Sequence, residues 1–202
     1  MKNKLVATGM VMLAVTLGAA LAQDKGGKGG GGGKGKGPAA PGLAISSPDF
    51  QDGGVIPDKF TQAVPMPVSP KLEWTNVPMG TVSFVLIMHD PDAALGGMPE
   101  DVLHWMAFNI PGTSKGLDGG QPTTPTLPDG TVQAMNRGRN PGFMGPGNPA
   151  QNPYHHYTFE LFALDTKLSL GPDATRADVL KAMEMHIIGK GVLVGRFKRP
   201  AA

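Results

Sequence analysis

Residues 81–89 read T-V-S-F-V-L-I-M-H and run directly into Asp90-Pro91-Asp92. The run is rich in β-branched residues and apolar at almost every position. That is the pattern of a strand covered on both faces, not of one that alternates between core and water. Pro91 has no N–H to give to a ladder, so the strand is expected to stop at Asp90. Working outward, residues 102–110 (V-L-H-W-M-A-F-N-I) form a second such run, closed by Pro111-Gly112. Residues 157–164 (Y-T-F-E-L-F-A-L) form a third. There Tyr157, Phe159, Leu161 and Ala163 share one face, while Thr158, Glu160, Phe162 and Leu164 share the other, partly polar one. Residues 192–197 read as a last strand, and 43–46 and 71–74 as shorter ones.

One helix stands out. Thr175 is placed to cap it, and Asp178, three residues on, completes a capping-box pattern. Val179, Ala182, Met183, His186 and Ile187 then recur at helical spacing, and Gly189 and Gly191 are expected to stop it. One helix among several strands, separated by long Pro/Gly loops, implies a mainly β domain: an antiparallel sandwich with a small C-terminal helical part. Strands and helices do not alternate regularly, which argues against a nucleotide-binding α/β fold.

Composition agrees. At 202 residues the chain has room for one domain with a real core. Hydrophobic residues make up 40% and charged residues 17%, which argues against a highly charged disordered protein. Gly 30 and Pro 20 are too many for a plain helical bundle. The cysteine count of 0 removes disulfides, thiol catalysis, cysteine zinc sites and lipidation at a cysteine.

The front of the chain reads differently. Lys2 and Lys4 precede an uncharged run that ends in Ala20-Leu21-Ala22, the layout of a signal peptide over residues 1–22, with cleavage expected after Ala22. Residues 23–42 follow as a Gly/Lys-rich segment with nothing to bury, expected to be a flexible tether. It is not a phosphate-binding loop, because it has no Gly-Lys-Ser or Gly-Lys-Thr and no following helix. The domain is then residues 43–202, in the periplasm or outside the cell, with no stable membrane span after cleavage. It holds 12 Lys or Arg against 15 Asp or Glu, a net charge of −3, so the basic character of the chain lies in the leader and the tail. A phosphate-tracking surface needs clustered positive charge, so nucleic acid is not an expected partner of the domain.

The polar residues that carry weight sit at strand ends. Asp90 closes one strand, His104 opens the next and His155 opens a third. If those strands are neighbours, the ends converge on one rim. Imidazole and loop N–H groups would there form a receptor for a small anion, with the Asp able to orient one imidazole. Two His and one Asp could instead hold a metal, but there is no H-E-x-x-H and no tight ligand spacing. No G-x-S-x-G elbow marks an activated serine. No cofactor is expected. Residues 138–149, G-R-N-P-G-F-M-G-P-G-N-P, suit either a loop of fixed path with its amides near a ligand or a plain surface loop.

Several motifs in order resemble the phosphatidylethanolamine-binding protein (PEBP) family, in its bacterial Raf-kinase-inhibitor-like branch. They are S-P-K-L-E-W from Ser69, P-M-G-T from Pro78, D-P-D-A from Asp90, L-H-W from Leu103 with N-I-P-G-T after it, G-F-M-G-P from Gly142, H-H-Y-T-F-E-L-F-A-L-D from His155, and the C-terminal V-L-K-A-M-E-M-H and L-V-G-R-F. The resemblance implies a sandwich of two antiparallel sheets with a small helical part, and a pocket for small anions such as phosphate or a phospholipid headgroup. By the same resemblance Asp90, His104, His155 and Tyr157 line that pocket, while Pro91, Asp92, Gly145 and Pro146 shape it. His104, His155 and Tyr157 would donate to anion oxygens, and Asp90 would fix a histidine tautomer or meet the cationic or protonated side of a ligand. Two positions depart from the family pattern: Ala94 stands where proline is usual and His156 where arginine is usual. Residues 94–101 read as an insertion beside the mouth.

The function expected is therefore an exported, non-enzymatic binding protein for a small anionic or phosphate-bearing ligand. A protein-interaction module acting as an inhibitor of a protease or other enzyme, with a protein partner, is the second reading. A metal-dependent hydrolase is the third.

Overall fold

The computed structural model describes residues 42–94, 97, 99 and 101–201. The expected signal peptide and almost all of the Gly/Lys segment lie outside the described residues, as does part of the expected insertion at 94–101. The described residues form nine strands and one α-helix. The strands are β1 (Ala44–Ser46), β2 (Gly54–Val55), β3 (Leu72–Thr75), β4 (Ser83–Asp90), β5 (Val102–Pro111), β6 (Gly116–Leu117), β7 (Val132–Gln133), β8 (His155–Leu164) and β9 (Ile187–Phe197), with α1 (Arg176–Met183) between the last two. One sheet has the order β1-β3-β6 and the other β2-β9-β8-β4-β5-β7. All pairings are antiparallel except the short β2–β9 pair, which is parallel.

β4 lies between β8 and β5, at the centre of the larger sheet. This explains its unbroken apolar run. Phe84, Leu86 and Met88 pack into a core shared with Ile45, Leu72, Trp74 and Leu117 of the smaller sheet. Val85 and Ile87 pack the opposite way, into a second core closed by Val179 and Met183 of α1 and by Leu168. Each face of the sheet therefore has its own cover, and every β4 side chain from Ser83 to Met88 is buried. β8 behaves likewise, with Tyr157, Phe159, Leu161 and Ala163 in the first core and Phe162 and Leu164 in the second.

Two sequence expectations need correction at the C-terminal end. The capping box forms as expected, Thr175 accepting from the Asp178 amide and Asp178 accepting from that of Thr175. The helix, however, ends at Met183, not near Gly189. Met185 takes a positive φ of 66°, which breaks the helical path, and Ile187 already pairs with Leu164 of β8. The last strand consequently starts at Ile187 instead of residue 192, because ladder bonds to β8 outweigh a helical continuation that would bury little.

A β-bulge positions the residue of most interest. Met88 pairs with Trp105 and His89 with Leu103, so His104 is the extra residue on β5. Regular alternation would point His104 away from the face of Trp105. The bulge instead lets both reach the same side, Trp105 into the inter-sheet core and His104 edge-on against Tyr157, with ring centroids 5.1 Å apart.

Candidate functional site

At the end of the inter-sheet core, where β4, β5 and β8 finish or begin, lies a hollow of about 490 Å³. Its lining includes Asp90, Asp92, His104, His155 and Tyr157. That volume suits a small ligand or headgroup, since small-molecule sites run from about 300 to 1,000 Å³. Of the residues expected to shape the site, Asp92 lines it. Pro91, Gly145 and Pro146 do not, and they act from behind. The Gly145 and Pro146 carbonyls accept from the side chain and backbone of Gln62, at 2.9 and 2.8 Å, which brings Gln62 to the wall. A Cβ on Gly145 would come within 2.9 Å of the Phe60 carbonyl, so this close approach requires glycine.

Asp90 is 4% exposed, and each of its oxygens has a partner. One of its oxygens accepts from the Asp92 amide at 3.0 Å, and the other lies 2.8 Å from Nδ1 of His155. A carboxylate can only accept, so Nδ1 of His155 carries the proton and Nε2 is left for the hollow. His156, next in β8, points the other way. Its amide and Nδ1 lie 2.6 and 2.8 Å from Asp92 Oδ2. Burial works to raise the Asp92 carboxyl, but the His156 amide and ring outweigh it and hold the group below its ordinary value. The two adjacent histidines thus clasp both acids of the Asp90-Pro91-Asp92 turn.

His104 is also 4% exposed, and its Nδ1 lies 2.8 Å from the Met144 carbonyl oxygen. A carbonyl accepts, so Nδ1–H donates. Burial pushes the ring below its ordinary value, against the opposing pull of the Met144 carbonyl and the Asp90 charge. The neutral ring then has an acceptor at Nε2. That atom has no hydrogen-bond partner among the described residues and is not sealed in the core, so it opens on the hollow. This differs from the expectation that His104 donates to an anion. Tyr157 is 1% exposed, and burial pushes its phenol up, with the Asp90 charge adding to the effect and the Asn148 and Gly147 amides opposing it. The phenol stays protonated, with its O–H directed at the Asp90 carboxylate.

Among the polar lining residues, Gln62, Arg137, Asn148 and Asn152 were not named from sequence as site residues. Arg137 is exposed at the mouth, and no carboxylate lies within 4.0 Å of it among the described residues. Its backbone amide donates to Leu103 at 2.9 Å, which ties it to the start of β5. It stands one residue before the Gly/Pro-rich loop at 138–149, and a basic residue at that edge was the available signal. Asn148 is buried, donates to the Pro153 carbonyl at 2.7 Å and accepts from Asn152 at 3.0 Å. It lies in the 138–149 loop, but nothing in that segment marks this one residue among its neighbours.

Comparison with known proteins decides the family. Residues 46–198 match the family model for phosphatidylethanolamine-binding protein. The chain belongs to the phosphatidylethanolamine-binding protein family. A protein from Methanothermobacter thermautotrophicus, named UPF0098 protein, is 43% identical over 151 residues, covering 74% of this chain and 95% of its own. A Mycobacterium tuberculosis protein carrying the name lipoprotein LppC is 36% identical over 162 residues, covering 80% of this chain and 75% of its own. The crystal structure of Escherichia coli YbcL, described as a member of the mammalian PEBP family, aligns with a TM-score of 0.70 at 27% identity, over 79% of this chain and 100% of that one. The mainly β PEBP fold read from the sequence is the one found. Among the described residues no helix is long and apolar enough to cross a membrane.

Proposed function

We propose that this PEBP-family protein is an exported, non-enzymatic binding protein for a small anionic or phosphate-bearing ligand, such as a phospholipid headgroup. The observation that carries the reading is the meeting of Asp90, His104, His155 and Tyr157 around one headgroup-sized hollow, with Arg137 at its mouth. Arg137 supplies positive charge where an anion would enter. Among the described residues no three His, Cys, Asp or Glu side chains are grouped to hold a metal, which weighs against the hydrolase reading. Export rests on the leader-like residues 1–22, and the lipoprotein name of the mycobacterial relative is in keeping with it.

Calorimetric titration of residues 43–202 with inorganic phosphate and with phosphoethanolamine, at several pH values, tests the proposal. Saturable one-site binding is expected. No heat of binding for either ligand at millimolar concentration and at any pH would overturn it.

A further inference from the structure

The two ends of the larger sheet differ in what they expose. β4 ends and β8 begins at the hollow. At the other pole β4 begins, β8 ends and β9 begins, about 25 Å away along the 8 residues of β4. That far pole is crowded with exposed apolar side chains: Met79 and Val82 ahead of β4, and Met185, Ile187 and Ile188 where α1 gives way to β9. The Val82 amide donates to the Leu164 carbonyl at 2.8 Å, and Leu164 pairs with Ile187, so the two groups belong to one surface. Val77, Pro78, Met79 and Ile188 line a groove of about 450 Å³ there. Met79 is 99% and Met185 96% exposed, so no described residue covers either. Met185 projects from a positive φ of 66°, where Gly or Asn would be less strained. A contiguous apolar surface of this kind marks a contact face.

The sequence indicates what covers it. Gly42 lines the same groove, so the chain enters the domain at this pole. Residues 23–42 carry Lys25, Lys28, Lys34 and Lys36 against a single acid, Asp24. Lys36 is six residues from Gly42, within about 20 Å of it on any path. The acids beside the patch, Asp165 and Glu184, are each held by a basic side chain, His186 at 2.8 Å and Lys181 at 2.6 Å. A two-fold contact between copies would bring the four lysines of one against those of the other, which opposes self-association through this pole. An anionic bilayer suits both features at once, because it attracts the lysines and takes up the apolar side chains.

We infer that the pole opposite the hollow is a docking face for an anionic phospholipid bilayer. Met79, Met185 and Ile188 insert among the lipids, and the lysines between residues 25 and 36 lie along the headgroups. Docked this way, the domain holds the mouth of its hollow away from the surface it sits on, and ligand reaches it from the solvent. The inference stands apart from the binding reading above, since it uses no residue of the hollow.

The test is co-sedimentation of residues 23–202 with vesicles of phosphatidylglycerol and phosphatidylcholine in equal parts, and with vesicles of phosphatidylcholine alone. The leader is left off because an apolar run would partition by itself. Binding to the mixed vesicles is expected, with at least tenfold weaker binding to phosphatidylcholine and a decline as salt is raised. Lys25→Ser, Lys28→Ser, Lys34→Ser and Lys36→Ser combined should weaken it at least tenfold, each lysine being worth up to about fivefold near such a surface. Met79→Asp with Met185→Asp should weaken it as much. Both positions are exposed, so the denaturation midpoint and phosphate binding of that variant should hold. Excess inorganic phosphate should leave the wild type on the vesicles, which separates docking by this pole from capture of a headgroup in the hollow. No sedimentation with the mixed vesicles, equal binding to both compositions, or a Met79→Asp, Met185→Asp variant that binds like the wild type overturns the inference. Release by phosphate puts the contact at the hollow and overturns it as well. Failure of phosphate to bind while the protein sediments as expected overturns the binding reading alone.

Discussion

His89 and His104 lie on neighbouring strands and are both surrounded by charged groups, yet only one of them faces a void. His89 points to the helix side of the larger sheet. Its Nδ1 lies 2.5 Å from Asp101, and its Nε2 is sealed 3.6 Å from Glu160. Each acid has its own cation, Arg176 for Asp101 and Lys190, at 2.5 Å, for Glu160. This network binds β4, β8, β9, α1 and the start of β5 together, and its two unpartnered atoms, His89 Nε2 and Arg176 Nε, are sealed away from any ligand-sized space. His104, on the other face, has a proton committed to Met144 and an unmet acceptor opening on the hollow. The residue types are nearly the same in the two places. What distinguishes a candidate binding site from a structural clamp is an unsatisfied valence beside ligand-sized space.

That contrast can be broken by substitution on either side. The largest stability effect is expected from Asp101→Ala, which strands both Arg176 and His89. A loss of about 1–3 kcal/mol in denaturant unfolding is expected, with phosphate affinity unchanged. A comparable loss of phosphate affinity would merge the two regions. His104→Ala should do the reverse. Phosphate binding should weaken by about 1–3 kcal/mol in calorimetry, while the denaturation midpoint moves much less than for Asp101→Ala.

Acidity sharpens the comparison further. His104 is depressed from its ordinary 6.5, so below that pH the unfolded chain takes up a proton that the folded ring resists. Its contribution to stability is complete above about 6.5 and is lost as pH falls from there towards the depressed folded value. In urea midpoints measured across that window, the wild type should fall with acid more steeply than His104→Gln. Parallel curves would mean that the ring is not buried neutral.

The smallest effect belongs to the Asp92 clasp. Its depressed carboxyl contributes stability above its ordinary 3.8, and that contribution is lost as pH falls through the lower folded value. With 41% of the side chain exposed, water and salt screen most of it. Asp92→Asn should flatten only the most acidic limb of the same urea series.

Much of the fold was legible because burial leaves a periodic trace. The unbroken apolar run of β4 announced a strand covered on both faces, and the alternation of β8 announced which side chains meet the inter-sheet core. β2, β6 and β7 are two residues each, too short for any period to show. The end of α1 was misread because Ala182, Met183, His186 and Ile187 keep a helical spacing while pairing with β8 decides the backbone. In the site, Asp90, His104 and His155 stood out as polar residues at strand ends, and Tyr157 came from the family motif. The role of His104 could not be read from sequence, since it depends on a bulge and on a carbonyl forty residues away. Arg137 and Asn148 arrive from a loop whose path is set by tertiary contacts, not by local pattern.

The most direct test of the central claim is a histidine-ring NMR titration of residues 43–202 with inorganic phosphate, following the ring nitrogens of all five histidines. The account predicts that the Nε2 signals of His104 and His155 move together and saturate at one equivalent, while those of His89 and His186 stay in place. Signals of His104 and His155 that do not respond, or five histidines that drift alike without saturation, would contradict it.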